Sequence, residues 1–134
     1  RMGVAQQINQ VRDALIDCWA WTVFPEGTTT DGRSLLPFKS PLLAVLDPAP
    51  PGILVQPIVM DYGKDAPDIA WIGEETAPDN AWRLLTRTKP FHVTLHFLDP
   101  IDPRDHAGRK AIAAEGRAAI AARLSETLGG LPIA

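Results

Sequence analysis

From Phe91 to Phe97 the chain alternates without a slip. Phe91, Val93, Leu95 and Phe97 point one way, and His92, Thr94 and His96 point the other. Only an extended strand puts every second side chain on one face. This stretch therefore predicts a half-exposed strand and obliges the chain to build a sheet. Three other runs are strand-like. Trp21 to Phe24 is short and apolar, of the buried type, and should end at Pro25, which cannot donate to a ladder. Ile53 to Met60 is rich in branched apolar residues, with Pro57 arguing for an edge or a bulge. Asp68 to Ile72 is a shorter candidate.

Helical spacing separates these runs. Val4, Ile8, Val11 and Leu15 fall on one helix face, which predicts a helix over about residues 3–17. Ser40-Pro41 is a good helix start, since serine caps and proline fits the first turn, and that helix should reach Leu46. Asp47 to Gly52 is a proline-rich loop. Pro78-Asp79 begins a short helix carrying Trp82 and Leu85. Asp102-Pro103 reads as a capped start for a long alanine-rich helix, about residues 103–128, lined by Ile112, Ile120, Leu124 and Leu128 and stopped by Gly129-Gly130. Strands mixed with helices place the chain in the α/β or α+β class, with a mixed sheet. No repeat or internal boundary divides its 134 residues, so we expect a single domain, with a core over residues 1–100 and a C-terminal helix.

Composition narrows the function classes. With 46% hydrophobic residues a packed core is within reach. A formal net charge of −3 gives no electrostatic reason to expect nucleic acid as a partner. The single cysteine, Cys18, has no internal partner for a disulfide and reads as a small buried hydrophobe. The N-terminal residues lack a signal-peptide pattern, and the longest uncharged run, Pro48 to Met60, is too short to cross a bilayer as a helix.

The chemistry concentrates between Trp21 and Leu43. There an apolar run breaks at Pro25 into a loop carrying Glu26, Gly27, Thr28, Thr29, Arg33 and Lys39. Glu26 can accept hydrogen bonds that fix the loop, Gly27 permits close backbone approach, and the hydroxyls and cations suit an anion. Gly27 to Ser34 is one residue short of a phosphate-binding P-loop, with Arg33 where lysine should stand, but Pro37 interrupts the helix such a loop needs. His92 and His96 share a strand face, yet only His106 remains as a third histidine, so no zinc site is expected. No Gly-x-Ser-x-Gly marks a serine nucleophile.

Val23-Phe24-Pro25-Glu26-Gly27-Thr28, followed by Leu36-Pro37-Phe38-Lys39, resembles the third signature block of the 1-acylglycerol-3-phosphate O-acyltransferase family. The run Val55-Gln56-Pro57-Ile58-Val59 is similar to that family's fourth block, and the likeness extends over about residues 1–100. The resemblance implies a glycerolipid acyltransferase-like α/β fold, with a mixed, largely parallel sheet flanked by helices, and transfer of an acyl group from acyl-CoA or acyl carrier protein to a lysolipid hydroxyl, with no other cofactor. It assigns Glu26, Gly27 and Thr28, with Lys39 nearby, to the acceptor's polar head. Many members carry arginine where this chain has Thr29, which removes a bidentate phosphate contact. Either Arg33 substitutes, or the acceptor is not lysophosphatidic acid but lyso-ornithine lipid.

The family's catalytic block, His-x4-Asp, is absent. Five positions after His92, His96 and His106 stand Phe97, Ile101 and Ala111. No residue of this chain is therefore assigned a catalytic role. We expect the chain to be the C-terminal part of an acyltransferase domain, incomplete on its N-terminal side and inactive alone. The alternative is a non-catalytic lipid-binding module of the same fold. The resemblance also implies a peripheral location on the cytoplasmic face of a membrane, and an incomplete sheet implies a tendency to self-associate.

Overall fold

The computed structural model describes residues 9–13, 20–131 and 133. Helix α1 spans residues 9–13, and Val11 packs against the buried cluster of Val45, Leu46 and Ile112. The remainder of the helix expected over 3–17 lies outside the described residues, as do Cys18 and Trp19.

Trp21 to Phe24 is not a strand. Trp21 is 52% and Phe24 69% exposed, so the expectation of a buried strand is corrected. No neighbouring strand stands beside this run among the described residues. The Phe24 carbonyl instead accepts the Gly27 amide in a turn at 3.1 Å.

Ser40–Leu46 is helical as expected, but as a tight 3₁₀ helix. Lys39 takes the capping position, Ser40 begins the helix proper, and no side chain caps it. Val45 and Leu46 are the buried residues of this turn.

The sheet has two strands, β1 (Ile58–Asp61) and β2 (Thr94–Phe97), paired antiparallel from Ile58 opposite Phe97 to Asp61 opposite Thr94. Among the described residues the sheet consists of this antiparallel pair. Pro57 shortens β1, because it has no N–H to donate. Beyond it Val55 and Ile101 exchange both backbone hydrogen bonds, at 2.9 and 2.8 Å. One residue more lies between the two pairings on the β2 side than on the β1 side, which marks a bulge.

Between the strands the chain is helical. A 3₁₀ turn, Gly63–Asp65, runs into α2 (Ala66–Ile69). This corrects the strand expected from Asp68 to Ile72. Pro67 suits a first helical turn, and the carbonyls of Asp68 and Ala70 are taken by the Arg83 side chain instead of a ladder. Helix α3 (Ala77–Leu85) starts one residue before the expected Pro78, capped by Thr76, whose hydroxyl accepts the Asp79 amide at 3.4 Å.

Asp102 caps a short 3₁₀ turn, Pro103–Asp105, by accepting the Arg104 amide at 2.9 Å, so the expected helix start is real but local. The long helix, α4, begins later, at Arg109, and runs to Thr127. It ends in a Schellman motif: the Gly130 amide reaches the Ser125 carbonyl at 2.8 Å and the Gly129 amide reaches Glu126 at 3.1 Å.

Helix α4 packs on both the Ser40–Leu46 turn and β1. It buries Ile112, Ala113 and Gly116. The alternation of β2 holds, yet the residue it covers is the polar His96, while Thr94 is exposed. His96 lies against α4, with Nδ1 2.9 Å from Arg123, while Leu95 and Phe97 are 47% and 66% exposed. Across the ladder Ile58 and Met60 are exposed as well.

Ile112, 1% exposed, is the most deeply buried large side chain described. Ile112→Ala leaves a cavity between α4 and the Ser40–Leu46 turn and should lower unfolding free energy by about 2–5 kcal/mol. Urea denaturation followed by circular dichroism measures it; a loss below ~1 kcal/mol contradicts this core.

Candidate functional site

The polar loop is closed at its neck by main chain. The Lys39 amide donates to the Pro25 carbonyl at 2.8 Å, and the Gly27 amide to Phe24. Inside the neck Glu26 Oε2 accepts the Leu36 amide at 2.8 Å. Leu35, 6% exposed, anchors the returning strand of the loop in the core. From the other side Arg117 of α4 donates through Nη2 to the Leu35 carbonyl at 2.6 Å and through Nε to the Leu36 carbonyl at 3.3 Å. Buried main-chain groups seldom go unpaired, and here two charged side chains pair them.

Gly27 has φ +72°, a conformation that L side chains rarely adopt. The Lys39 side chain fills the space a Cβ there would need: its Nζ lies 2.6 Å from that position. The ammonium is therefore laid over the backbone at the loop's neck. It has no ion-pair or hydrogen-bond partner among the described residues.

The tip is a self-contained turn. Asp31 Oδ1 accepts the Arg33 amide at 2.9 Å and the Ser34 hydroxyl at 3.2 Å. Those bonds, the Arg33 amide foremost, hold the Asp31 carboxyl below its ordinary value, so it is ionised at neutral pH. The Thr30 hydroxyl donates to the Ser34 carbonyl at 3.1 Å. The Arg33 guanidinium is exposed and unpaired among the described residues.

Of the residues expected from sequence, Glu26, Gly27 and Lys39 meet at the neck, and Thr28 is exposed beside them. Arg33 sits apart, at the tip. Glu26 spends one carboxylate oxygen on Leu36, so its first task is to shape the loop. The Thr29 hydroxyl is committed to the Trp71 carbonyl and acts as a tether.

That tether leads to a cluster that the sequence reading missed. Trp71 Nε1 donates to the Glu75 carbonyl at 2.7 Å. Arg83 grips Glu75 with a bidentate fork, Nε to Oε1 at 2.8 Å and Nη2 to Oε2 at 2.9 Å, and Asn80 adds a bond at 3.0 Å. The Arg83 bond first, then Asn80, pushes the Glu75 carboxyl down to about 2. The depression of about 560 Å³ beside it is lined by Arg83 and Arg87, whose charges are already met by Glu75 and Asp68. Both cations are ion-paired, while Arg87 Nε is buried without a hydrogen-bond partner among the described residues. The Glu-x7-Arg spacing gave no signal, because Glu75 stands before α3 and the pair is not one turn apart on a helix.

Two of the three histidines are also engaged. His106 Nε2 lies 3.1 Å from Glu115, and His96 faces Arg123 with Asp61 at 3.9 Å. His92 is exposed. Arg117 is the other residue that sequence reading missed. Its one visible signal is an arginine placed beside the buried Ala113 and Gly116 of α4.

The chain is similar to curated lyso-ornithine lipid O-acyltransferases. It is 34% identical to that of Pseudomonas aeruginosa over 120 residues, covering 87% of this chain and 42% of the relative. It is 30% identical to that of Rhodobacter capsulatus over 129 residues, covering 90% and 45%. It is 30% identical to that of Rhizobium meliloti over 138 residues, covering 92% and 47%. The chain thus spans about half the length of the curated relatives it matches. No protein-family model matches it. No solved structure matches it either.

The Glu75–Arg83 pair makes a pH prediction. Because the folded carboxyl sits at about 2 against an ordinary 4.5, its stabilising contribution is complete above 4.5 and is lost as pH falls towards 2. Arg83→Gln should move Glu75 titration up from about 2 towards its ordinary value, with the Asn80 bond still holding it below, read from its side-chain carboxyl ¹³C shift, and raise the pH of acid unfolding. An unchanged Glu75 titration in the variant would contradict the fork.

Proposed function

We propose, from the premise that this chain belongs to the glycerolipid acyltransferase family, that its Pro25–Lys39 loop holds the polar head of a lysolipid acceptor during O-acylation. In that reaction the acceptor hydroxyl oxygen attacks the thioester carbonyl of acyl-CoA or an acyl carrier protein. A C–O ester bond forms, the C–S bond breaks, and the thiol leaves with the proton. The observation that carries this reading is the Lys39 ammonium laid over Gly27, unpaired among the described residues, within the block whose residues resemble the family's acceptor block.

Lyso-ornithine lipid is the acceptor we favour over 1-acylglycerol-3-phosphate. Four relatives carry that activity in their names. The loop's charges suit it as well. An ornithine head acylated at its α-nitrogen carries a carboxylate and an amine. Lys39 at the neck matches the first, and the ionised Asp31 at the tip matches the second. A phosphate dianion gains nothing from Asp31 and finds Thr29 tied to Trp71 rather than free. A non-catalytic lipid-binding module is the second reading, favoured by the absence of any His-x4-Asp in these 134 residues.

We further propose that the chain works at the cytoplasmic face of a membrane, where such acceptors reside. Exposed Trp21 and Phe24 beside the loop suit a lipid surface. No helix among the described residues is long and apolar enough to cross a membrane. The open face formed by Ile58, Met60, Leu95 and Phe97 is an apolar patch that favours self-association.

Three measurements test these readings. The purified chain should show no acyl transfer from radiolabelled acyl-CoA to lyso-ornithine lipid, since a general base contributes about 10²–10⁴-fold and none is assigned here. Robust turnover refutes that assignment. Lys39→Gln should weaken binding of lyso-ornithine lipid in neutral detergent micelles by about tenfold. An unchanged affinity removes Lys39 from the site. Phe97→Ser should shift sedimentation velocity profiles towards monomer, and identical profiles argue against self-association through this face.

A further inference from the structure

The acceptor loop is clamped from both sides at one dipeptide. Glu26 holds the Leu36 amide, and Arg117 holds the carbonyls of Leu35 and Leu36. Three residues later the chain reaches Lys39, whose amide closes the neck on Pro25 and whose ammonium lies over Gly27. Between the clamp and Lys39 stands Pro37, whose ring fixes its own φ and restricts Leu36 before it. Little backbone freedom therefore separates the carbonyls that Arg117 grips from the lysine. We infer that Arg117 is a positioning residue: acting through the Leu35 and Leu36 carbonyls, it sets where the Lys39 ammonium stands against Gly27.

Arginine suits the task because its planar fork spans two adjacent carbonyls at once. A lysine reaches one of them, and a glutamine supplies no charge. Arg117 lies 81 residues from Leu36 and outside both signature-like blocks, on a helix held in the core by Ile112, Ala113 and Gly116. The loop's geometry is thereby referred to the C-terminal helix rather than to the loop's own sequence. Its consequence for lipid binding rests on the reading of the loop as the acceptor site.

The test compares wild type, Arg117→Gln and Arg117→Lys, each checked by thermal melting for a folded core. Lysines are tagged by reductive ¹³C-methylation, with Lys39→Arg identifying the Lys39 resonance, and Leu36 amide exchange is followed in parallel. Arg117→Gln should shift or broaden the Lys39 resonance and speed Leu36 exchange about tenfold or more, with Arg117→Lys intermediate. In micelles Arg117→Gln should weaken lyso-ornithine lipid binding to a similar degree. A Lys39 resonance and Leu36 exchange unchanged in folded Arg117→Gln overturns the inference. So does a faster Leu36 exchange that leaves Lys39 unmoved. If wild type binds no lysolipid while Lys39 still responds to Arg117→Gln, the positioning role stands and the acceptor reading falls.

Discussion

The hydrogen bond from the Leu36 amide to the Glu26 carboxylate is the constraint on which the candidate site depends. A loop this polar has many conformations available, and each ordered residue costs about 1–2 kcal/mol of backbone entropy. The bond joins the loop's entry to its exit at one point. The neighbouring Lys39–Pro25 bond then closes the neck, and Leu35 is fixed in the core beneath it. Because a charge-assisted bond of this kind is stronger than a neutral one, the carboxylate does more than fill a polar surface. It turns a mobile connection into a frame on which a cation can be held.

The frame in turn leans on two distant supports. Helix α4 supplies Arg117, and the segment after α2 supplies the Trp71 carbonyl that receives Thr29. Behind Trp71, the Glu75–Arg83 fork fixes the turn between α2 and α3. The neck is therefore tied to the long helix, and the Thr29 side of the loop to the helical insertion between the strands. The cations that remain unpaired among the described residues at the loop are Arg33 and Lys39. Those of the neighbouring depression are ion-paired with Glu75 and Asp68.

How much of this was legible in the sequence follows from how local each signal is. The strand at Phe91–Phe97, the cap at Asp102 and the Gly129-Gly130 stop rest on neighbours a few residues away, and all three appear, the strand over its last four residues. Which face of β2 is covered was not legible. The apolar face carries no local mark saying that α4 packs on the other side, against His96. Trp21 to Phe24 misled because an apolar run becomes a strand only with a partner to pair with. Asp68 to Ile72 misled because Pro67 and the Arg83 side chain offered its backbone a better use than a ladder. At the site, the motif residues were visible as a group, but their division of labour was not. Glu26 and Thr29 shape the loop, while Gly27 and Lys39 make the surface. The partners of Arg117 were not legible because it grips carbonyls, which carry no residue identity.

The central claim is that the Pro25–Lys39 loop, and not the depression between α2 and α3, receives the lipid head. Amide chemical-shift mapping of the ¹⁵N-labelled chain in neutral detergent micelles, with and without lyso-ornithine lipid, tests it most directly. The account predicts that perturbations cluster on Glu26, Gly27, Thr28, Arg33 and Lys39 and leave Arg83 and Arg87 unmoved. Perturbations centred on Asp68, Arg83 and Arg87, with the loop silent, would contradict it.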